Sequence, residues 1–353
     1  MSADLIKSEL DAGCKLYLQP VAFSSTEGEV LAGGWRRFLN LRATMRNVNG
    51  DVKSSVLSVA DLQPLLNLPQ VSALFEKLTQ PRADFGGLTM AEPHLMGIVN
   101  VTPDSFSDGG DNFAAATAIN QAKAMVSDGA SILDIGGEST RPGADVVSVS
   151  EEIKRVAPVI EGLRGINAEI SIDTRNPETM REAVSAGADF INDVTALEHS
   201  PASLETAVNC AKPVFLMHMK GQPKNMQNAP AYSHVVLDVY DYLESRLEAC
   251  EAAGLTRSQI GTDVGIGFGK TLKHNTDLLA NLSLFHGLGA PILLGASRKS
   301  FIDKVVGETT PKQRLPGSLV ALLQGLEQGV QMTRVHDVGE SCQAMRVWQV
   351  IHN

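Results

Sequence analysis

The chain has 353 residues, 43% of them hydrophobic and 20% charged, with a mean hydropathy of −0.01. This is enough length for one large barrel or two ordinary domains, with the composition of a soluble globular protein. The net charge of −10 without a basic block argues against nucleic acid as the main partner, and no run of about 18 apolar residues is available to span a membrane. The N-terminus lacks a basic stretch followed by an apolar core, so no secretory signal is expected. Cys14, Cys210, Cys250 and Cys342 are scattered, with neither metal-ligand spacing nor a disulfide framework, and the expected compartment is a reducing cytoplasm.

In chain order, residues 1–90 differ in character from the rest. Segments 15–23, 35–45 and 51–59 carry enough alternation and aromatic or β-branched content to predict short strands. Two short helical patterns follow at about 62–67 and 70–78, and Pro81 with the Gly86-Gly87 pair closes the segment. The segment reads as a small α+β extension of unknown function. Nothing in it has the look of a site, and Trp35, Arg36 and Arg37 are expected to be packing and surface residues.

Across residues 91–353, strand and helix patterns alternate. The first strand, 96–101, is an apolar run that breaks at Asn100 into a polar loop too long for a simple connection, and a helix is expected at 115–128. The second strand, 132–135, leads into GGESTRPGA and a helix at 150–163. The third, 169–172, ends at Asp173, and its helix carries Pro177 in the first turn. The fourth ends at Asn192-Asp193. The fifth, 213–217, ends at His218 and precedes a long amphipathic helix at 234–253. The sixth ends at Asp263 and VGIGFGK, the seventh at GASRKS, and the eighth, 332–335, brings Arg334 and His336 before a last helix containing Trp348.

Eight such units with non-alternating strands predict a (β/α)8 TIM barrel, all of whose strand C-termini open on one face. A doubly wound sheet is the rival, but the first junction has no G-x-G-x-x-G. The mouth would collect Asn100, Glu138, Asp173, Asn192, His218, Asp263, Lys299, Arg334 and His336. Asp173, Asn192 and Asp263 offer acceptors and an amide to a flat heterocycle rich in N–H groups, and Lys299 is the cation expected among the carboxylates. Arg334 and His336, on one face of the last strand, make with Asn100 an anion pocket where barrels often hold phosphate. No Ser-His-Asp order, H-E-x-x-H or Walker loop is present, and the GFGK at 267–270 lacks the full phosphate-loop pattern. With two pockets and no nucleophile, the set suits displacement of a phosphate leaving group by a second substrate. Loops 102–114 and 137–144 could close over ligands, with Phe106 and Arg141 best able to contact them.

These segments resemble a known family. MGIVNVTPDSFSDGG (96–110), GGESTRPGA (136–144), SIDT (171–174), FIND (190–193), MHMKGQPKNMQ (217–227), GIGFGK (265–270), GASRKSFI (295–302) and RVHDV (334–338) are similar, in the same order, to the motifs of dihydropteroate synthases. The resemblance covers about residue 93 to the C-terminus. It implies condensation of 6-hydroxymethyl-7,8-dihydropterin diphosphate with p-aminobenzoate to 7,8-dihydropteroate and diphosphate, in folate biosynthesis, by a dissociative displacement. It assigns the pterin to Asp173, Asn192, Met217, Asp263, Gly295 and Lys299. It assigns p-aminobenzoate, with which sulfonamides compete, to Phe106, Thr140, Arg141, Pro142, Phe268, Ser297 and Lys299. Diphosphate falls to Asn100, Arg334 and His336, with Mg²⁺ near Asn100, and Lys299, Asp173 and Arg141 are the catalytic residues it implies. A homodimer through barrel helices is also implied.

Two features depart from the pattern. Asp263-Val264-Gly265 stands where the family usually has Asp-Pro-Gly, which removes a fixed φ beside a pterin-binding carboxylate. The extension of about 90 residues has no counterpart in the family's minimal form. A pterin-dependent methyltransferase would share the barrel but has no use for STRPG, SRKS or RVHDV. A catalytically silent pterin-binding paralogue is the other alternative, and loss of Lys299, Arg334 or Arg141 would have favoured it; all three are present.

Overall fold

The computed structural model describes residues 3–101, 110–139, 147–221 and 226–352, but not the side chains of residues 3, 4 and 110–113. The extension comprises helix α1 (Ala3–Asp11), strands β1 (Lys15–Ser24), β2 (Glu29–Val30), β3 (Arg37–Arg46) and β4 (Val52–Ser58), and helices α2 (Val59–Leu62) and α3 (Pro69–Thr79). β3 is the central strand, with β1 antiparallel along one edge and β2 and β4 along the other. Ser58 and Asp61 form a capping box that starts α2 where the strand must end. Helix α1 and the two-residue β2 are not among the elements expected from sequence, and β2 is too short for a periodic pattern to show. Ile6, Leu16, Leu18, Phe38, Leu41, Leu62 and Val71 are among the residues of the extension's own apolar core.

The barrel follows as β5 (His94–Asn100), α4 (Gly110–Ser127), β6 (Ile132–Gly136), α5 (Val149–Gly162), β7 (Glu169–Asp173), α6 (Pro177–Ala186), β8 (Phe190–Asp193) and α7 (Ser203–Cys210). It continues with β9 (Val214–Met217), α8 (Val235–Ala252), β10 (Ile260–Asp263), α9 (Leu272–Ala280), β11 (Ile292–Leu294), α10 (Ser300–Val306), α11 (Leu315–Glu327), β12 (Met332–Val335) and α12 (Val338–His352). The eight parallel strands β5–β12 close on themselves through β12 and β5. Helix α4 begins at Gly110, five residues before the apolar pattern that predicts it.

Alternation along each strand sorts the lumen into layers. At the bottom, Met96, Ile132, Phe190, Phe215, Leu293 and Met332 pack with Phe85 and Met90 into one apolar cluster. Phe85 comes from the turn through Gly86-Gly87, where it bridges Leu88, and its ring lies 5.3 Å from Phe190 and 5.1 Å from Phe215. That residue seals the lower end. Two positions further along the same strands come Ile98, Asp134, Asn192, Gly295 and Arg334, so the lumen turns polar as it approaches the mouth.

The extension docks on the outside of the barrel at several places, among them the turn at 282–288, where Ser283 Oγ donates to the Pro20 carbonyl at 2.9 Å. Tyr17 Oη donates to Asp241, Lys15 Nζ reaches Asp241 at 2.6 Å and Glu244 at 2.5 Å, and Arg46 pairs with Asp238 and Asp241, all on α8. On the other side, Trp35 Nε1 donates to the Leu326 carbonyl at 3.1 Å, and buried Arg36 pairs with Glu327 at 2.5 Å on α11. Of the three residues expected to be packing and surface residues, Arg36 is a buried docking contact, also lying over the Trp348 ring. Arg37 donates to the Gly28 carbonyl within the extension.

Candidate active site

A cavity of about 410 Å³ lies at the strand C-termini. Its wall takes Asn100 from β5, Glu138 beyond β6, Asp173 from β7, Asn192 from β8, Met217 from β9, and Asp263 with Phe268 from β10 and its loop. Gly295, Ser297 and Lys299 follow β11, and Arg334 and His336 close the ring from β12. These positions meet because neighbouring strand ends are in register: Asn100 opposes Gly136, Gly136 opposes Asp173, and Asp173 opposes Asn192. Phe106, Thr140, Arg141 and Pro142, named from sequence, lie outside the described residues.

The electrostatics differ from the sequence expectation in one respect. The cation beside Asp173 is Arg334. Its Nε donates to Asp134 Oδ2 at 2.5 Å and its Nη2 to Asp173 Oδ2 at 2.7 Å, while Asn192 Nδ2 donates to the same Asp134 oxygen at 3.1 Å. Lys299 serves Asp263 instead, and its ammonium sits 4.0 Å from the centre of the Phe268 ring, a cation–π contact. Arg334 thus sits on the seam between the carboxylates and the expected anion pocket.

Burial dominates the acids. It lifts Asp173 to about 7, with Arg334 opposing and Asp134, Glu152 and Asp193 adding to the rise. It lifts Asp263 to about 6, against the Gly265 N–H that Asp263 Oδ1 accepts at 2.7 Å and against Lys299, Lys270 and Arg334. These carboxyls change charge near neutrality, as groups poised to exchange protons or hydrogen bonds with a ligand do.

Asp134 is the functional residue that sequence reading missed. It is fully buried and holds both Arg334 and Asn192, and its Oδ1 has no hydrogen-bond partner among the described residues. A period of two counted back from Gly136 would have put it in the lumen. His218 is the opposite case. It was expected at the mouth, but Met217 takes the lumen position and His218 falls on the outer side, buried against Lys270, whose Nζ lies 2.9 Å from its Nδ1. Glu138 is held by Arg175, with Nε and Nη2 at 3.1 and 3.0 Å, and accepts from Val147 N at 3.3 Å. Ser297 Oγ and His336 Nδ1 are 3.0 Å apart. Val264, at the position where proline is usual, is buried in the core.

This arrangement can hold a planar N–H-rich ring deep in the lumen, an anion at the β12–β5 side, and an aromatic amine near Phe268 and Lys299. Residues 96–336 match the family model described as pterin binding enzyme. The chain is 47% identical over 261 residues to the dihydropteroate synthase of Escherichia coli (strain K12), covering 74% of this chain and 92% of that protein. The structure of Xanthomonas albilineans dihydropteroate synthase with 4-aminobenzoic acid superposes with a TM-score of 0.72 at 45% identity, covering 77% of this chain and 98% of that one. That of the same enzyme in complex with 7,8-dihydropteroate gives 0.68 at 42% identity, covering 75% and 95%.

Proposed function

The chain belongs to the dihydropteroate synthase family of pterin-binding enzymes, and from that premise we propose how its barrel mouth joins 6-hydroxymethyl-7,8-dihydropterin diphosphate to p-aminobenzoate. The observation that carries the reading is the convergence of Asn100, Asp173, Asn192, Asp263, Lys299, Arg334 and His336 on one cavity. Asp173, Asn192 and Asp263 accept from and donate to the pterin edge, with Met217, Gly295 and Lys299 around the ring. Asn100, Arg334 and His336 take the diphosphate. Phe268, Ser297 and Lys299 take p-aminobenzoate together with Phe106, Thr140, Arg141 and Pro142, and sulfonamides compete there.

The C–O bond between the pterin methylene and the diphosphate breaks first, its electron pair leaving with the diphosphate. Arg334 and His336 stabilise the departing charge, while Asp173 and Asp263 favour the developing pterin cation. The aniline nitrogen, held in line by the p-aminobenzoate pocket, forms the C–N bond and loses a proton.

Among the described residues no group of three His, Cys, Asp or Glu side chains is gathered for a metal. Asn100 offers one neutral amide oxygen at the mouth, a donor set that fits Mg²⁺ bound chiefly through water and substrate phosphate. Bound there, Mg²⁺ would supply charge neutralisation for the diphosphate.

A homodimer through the barrel helices is supported by α12, where Val347, Val350 and Ile351 lie at i, i+3 and i+4 and are 55%, 84% and 71% exposed. The four cysteines are free thiols, in keeping with a cytoplasmic enzyme. A division near residue 90 is supported by the extension's sheet, which has its own apolar core, although Phe85 and Met90 pack into the barrel floor. The test is diphosphate release by the purified protein with pterin diphosphate and Mg²⁺, with and without p-aminobenzoate. Release that requires p-aminobenzoate and yields dihydropteroate is expected; pterin binding without such turnover would overturn the reading.

A further inference from the structure

The GFGK run has no phosphate-loop role, and the structure gives its lysine another. Lys270 does not reach the cavity; it is 1% exposed, enclosed between the loop after β9 and the loop after β10. Its Nζ meets three acceptors: His218 Nδ1 at 2.9 Å, the Phe268 carbonyl at 3.0 Å and the His218 carbonyl at 3.2 Å. Those are as many acceptors as an ammonium has protons to give.

The two loops lie backbone against backbone around it. Gly265 has φ +67°, and a Cβ there would fall 1.9 Å from the His218 carbonyl oxygen; at Gly269, with φ +62°, it would fall 2.2 Å from the Lys220 carbonyl oxygen. Only glycine allows this approach. The outer wall is aromatic: Tyr242 meets the His218 ring edge-on at 4.9 Å, and Tyr232 Oη donates to the Gly269 carbonyl. The inner end of the same loop carries Phe268, whose ring underlies the Lys299 ammonium.

We propose that Lys270 is a positioning residue for the condensation, an internal cation that pins the Phe268 carbonyl to the end of β9 and so sets the Phe268 ring and Lys299 between the two substrates. This rests on the synthase reading above. A buried positive charge does a second thing that an apolar strut would not. It helps keep Asp263 ionised, together with Lys299 and Arg334, and an ionised Asp263 is what accepts the pterin N–H groups. The groups facing Lys270 are neutral His218, His274, Asp263 and Lys299, and burial with the Lys299 charge pulls the amine down to about 7, Asp263 opposing. His218, held far below its ordinary range by burial and by Lys270, presents an unprotonated nitrogen to it.

The experiment compares Lys270→Met, His218→Asn and His218→Leu with the wild-type chain. It reads thermal midpoint, kcat and KM for each substrate, and pterin diphosphate binding from pH 5 to about 9. Lys270→Met is expected to raise KM for p-aminobenzoate and cut kcat/KM by on the order of 10²-fold, the size of a small misplacement at a reacting centre. It should also move the acid limit of pterin binding to higher pH, because Asp263 loses a cationic neighbour. His218→Asn keeps an acceptor near the Nδ1 position and should retain most activity, whereas His218→Leu should behave like Lys270→Met.

A folded Lys270→Met with wild-type KM and an unmoved acid limit would overturn the proposal. If Lys270→Met does not fold, equal kinetics of the two His218 variants would overturn it instead. A wild-type chain without p-aminobenzoate-dependent release fails the synthase reading itself, and the pH limit of pterin binding still decides the role of Lys270.

Discussion

At the scale of single residues, the site is governed by the mismatch between buried acids and the cations beside them. Asp134 and Asp173 share Arg334, and removing one partner of such a group leaves uncompensated charge in a dry lumen. Arg334→Met is therefore expected to cost about 3–5 kcal/mol of stability at pH 8. The loss should be smaller at pH 5, where protonation relieves Asp173; equal losses at both pH values in denaturant titrations would contradict the pairing. Asp173 itself has a folded value of about 7, above its ordinary one, so the folded state holds more protons than the unfolded state between about 4 and 7. Stability of the unliganded protein then falls as pH rises through that window, and Asp173→Asn should flatten the fall in thermal midpoint. The same variant should abolish diphosphate release, mainly through lost pterin binding, and near-normal turnover would mean that the pocket is misassigned.

At the scale of elements, strand ends and the loops beyond them share the work. The β-branched and apolar strands carry alternate residues into the lumen, so one residue of offset decides between Met217 in the cavity and His218 outside it. The loop after β10 depends on its glycines as much as on its lysine. Gly265→Ala combines a positive φ with backbone overlap, and is expected to lower stability by about 1 kcal/mol or more and pterin affinity with it. Melting curves and pterin titration would check this, and an unchanged affinity would uncouple that loop from Asp263.

At the scale of the molecule, the extension is bolted to α8 through Lys15, Tyr17 and Arg46 and to α11 through Trp35 and Arg36. Tyr17 and Tyr240, both buried, meet edge to face at 5.4 Å across this contact. Deleting residues 1–80 would leave Phe85 and Met90 in the barrel floor but strip that cover from the helices. A thermal midpoint lower by about 5 °C or more is expected, given about 2–4 °C per kcal/mol for a chain of this size. Unchanged midpoint, solubility and activity would remove any structural role for the extension. On the homodimer proposed above, Val350→Glu on the exposed face of α12 is expected to shift sedimentation from dimer to monomer, and sedimentation identical to that of the wild-type chain would contradict that interface.

The order of motifs and the run of eight strand–helix units were legible in the sequence, because non-alternating apolar strands and glycine-rich strand ends are local signals. So were Asn100, Asp173, Asn192, Asp263, Lys299, Arg334 and His336, since each stands at such a strand end or in the loop just beyond it. Ion pairing was not legible: which acid a guanidinium meets depends on strand register across the lumen, and Arg334 finds Asp134 and Asp173 some 200 and 161 residues away. Nor was the burial of Lys270, whose three acceptors come from two loops that only barrel closure brings together. Sequence by itself determined the fold class and most residues of the mouth, because period and strand ends are written locally. The partners of each charge, and the docking of the extension, were decided only by tertiary structure, because burial sets the strength of an electrostatic contact and burial is a property of the whole fold.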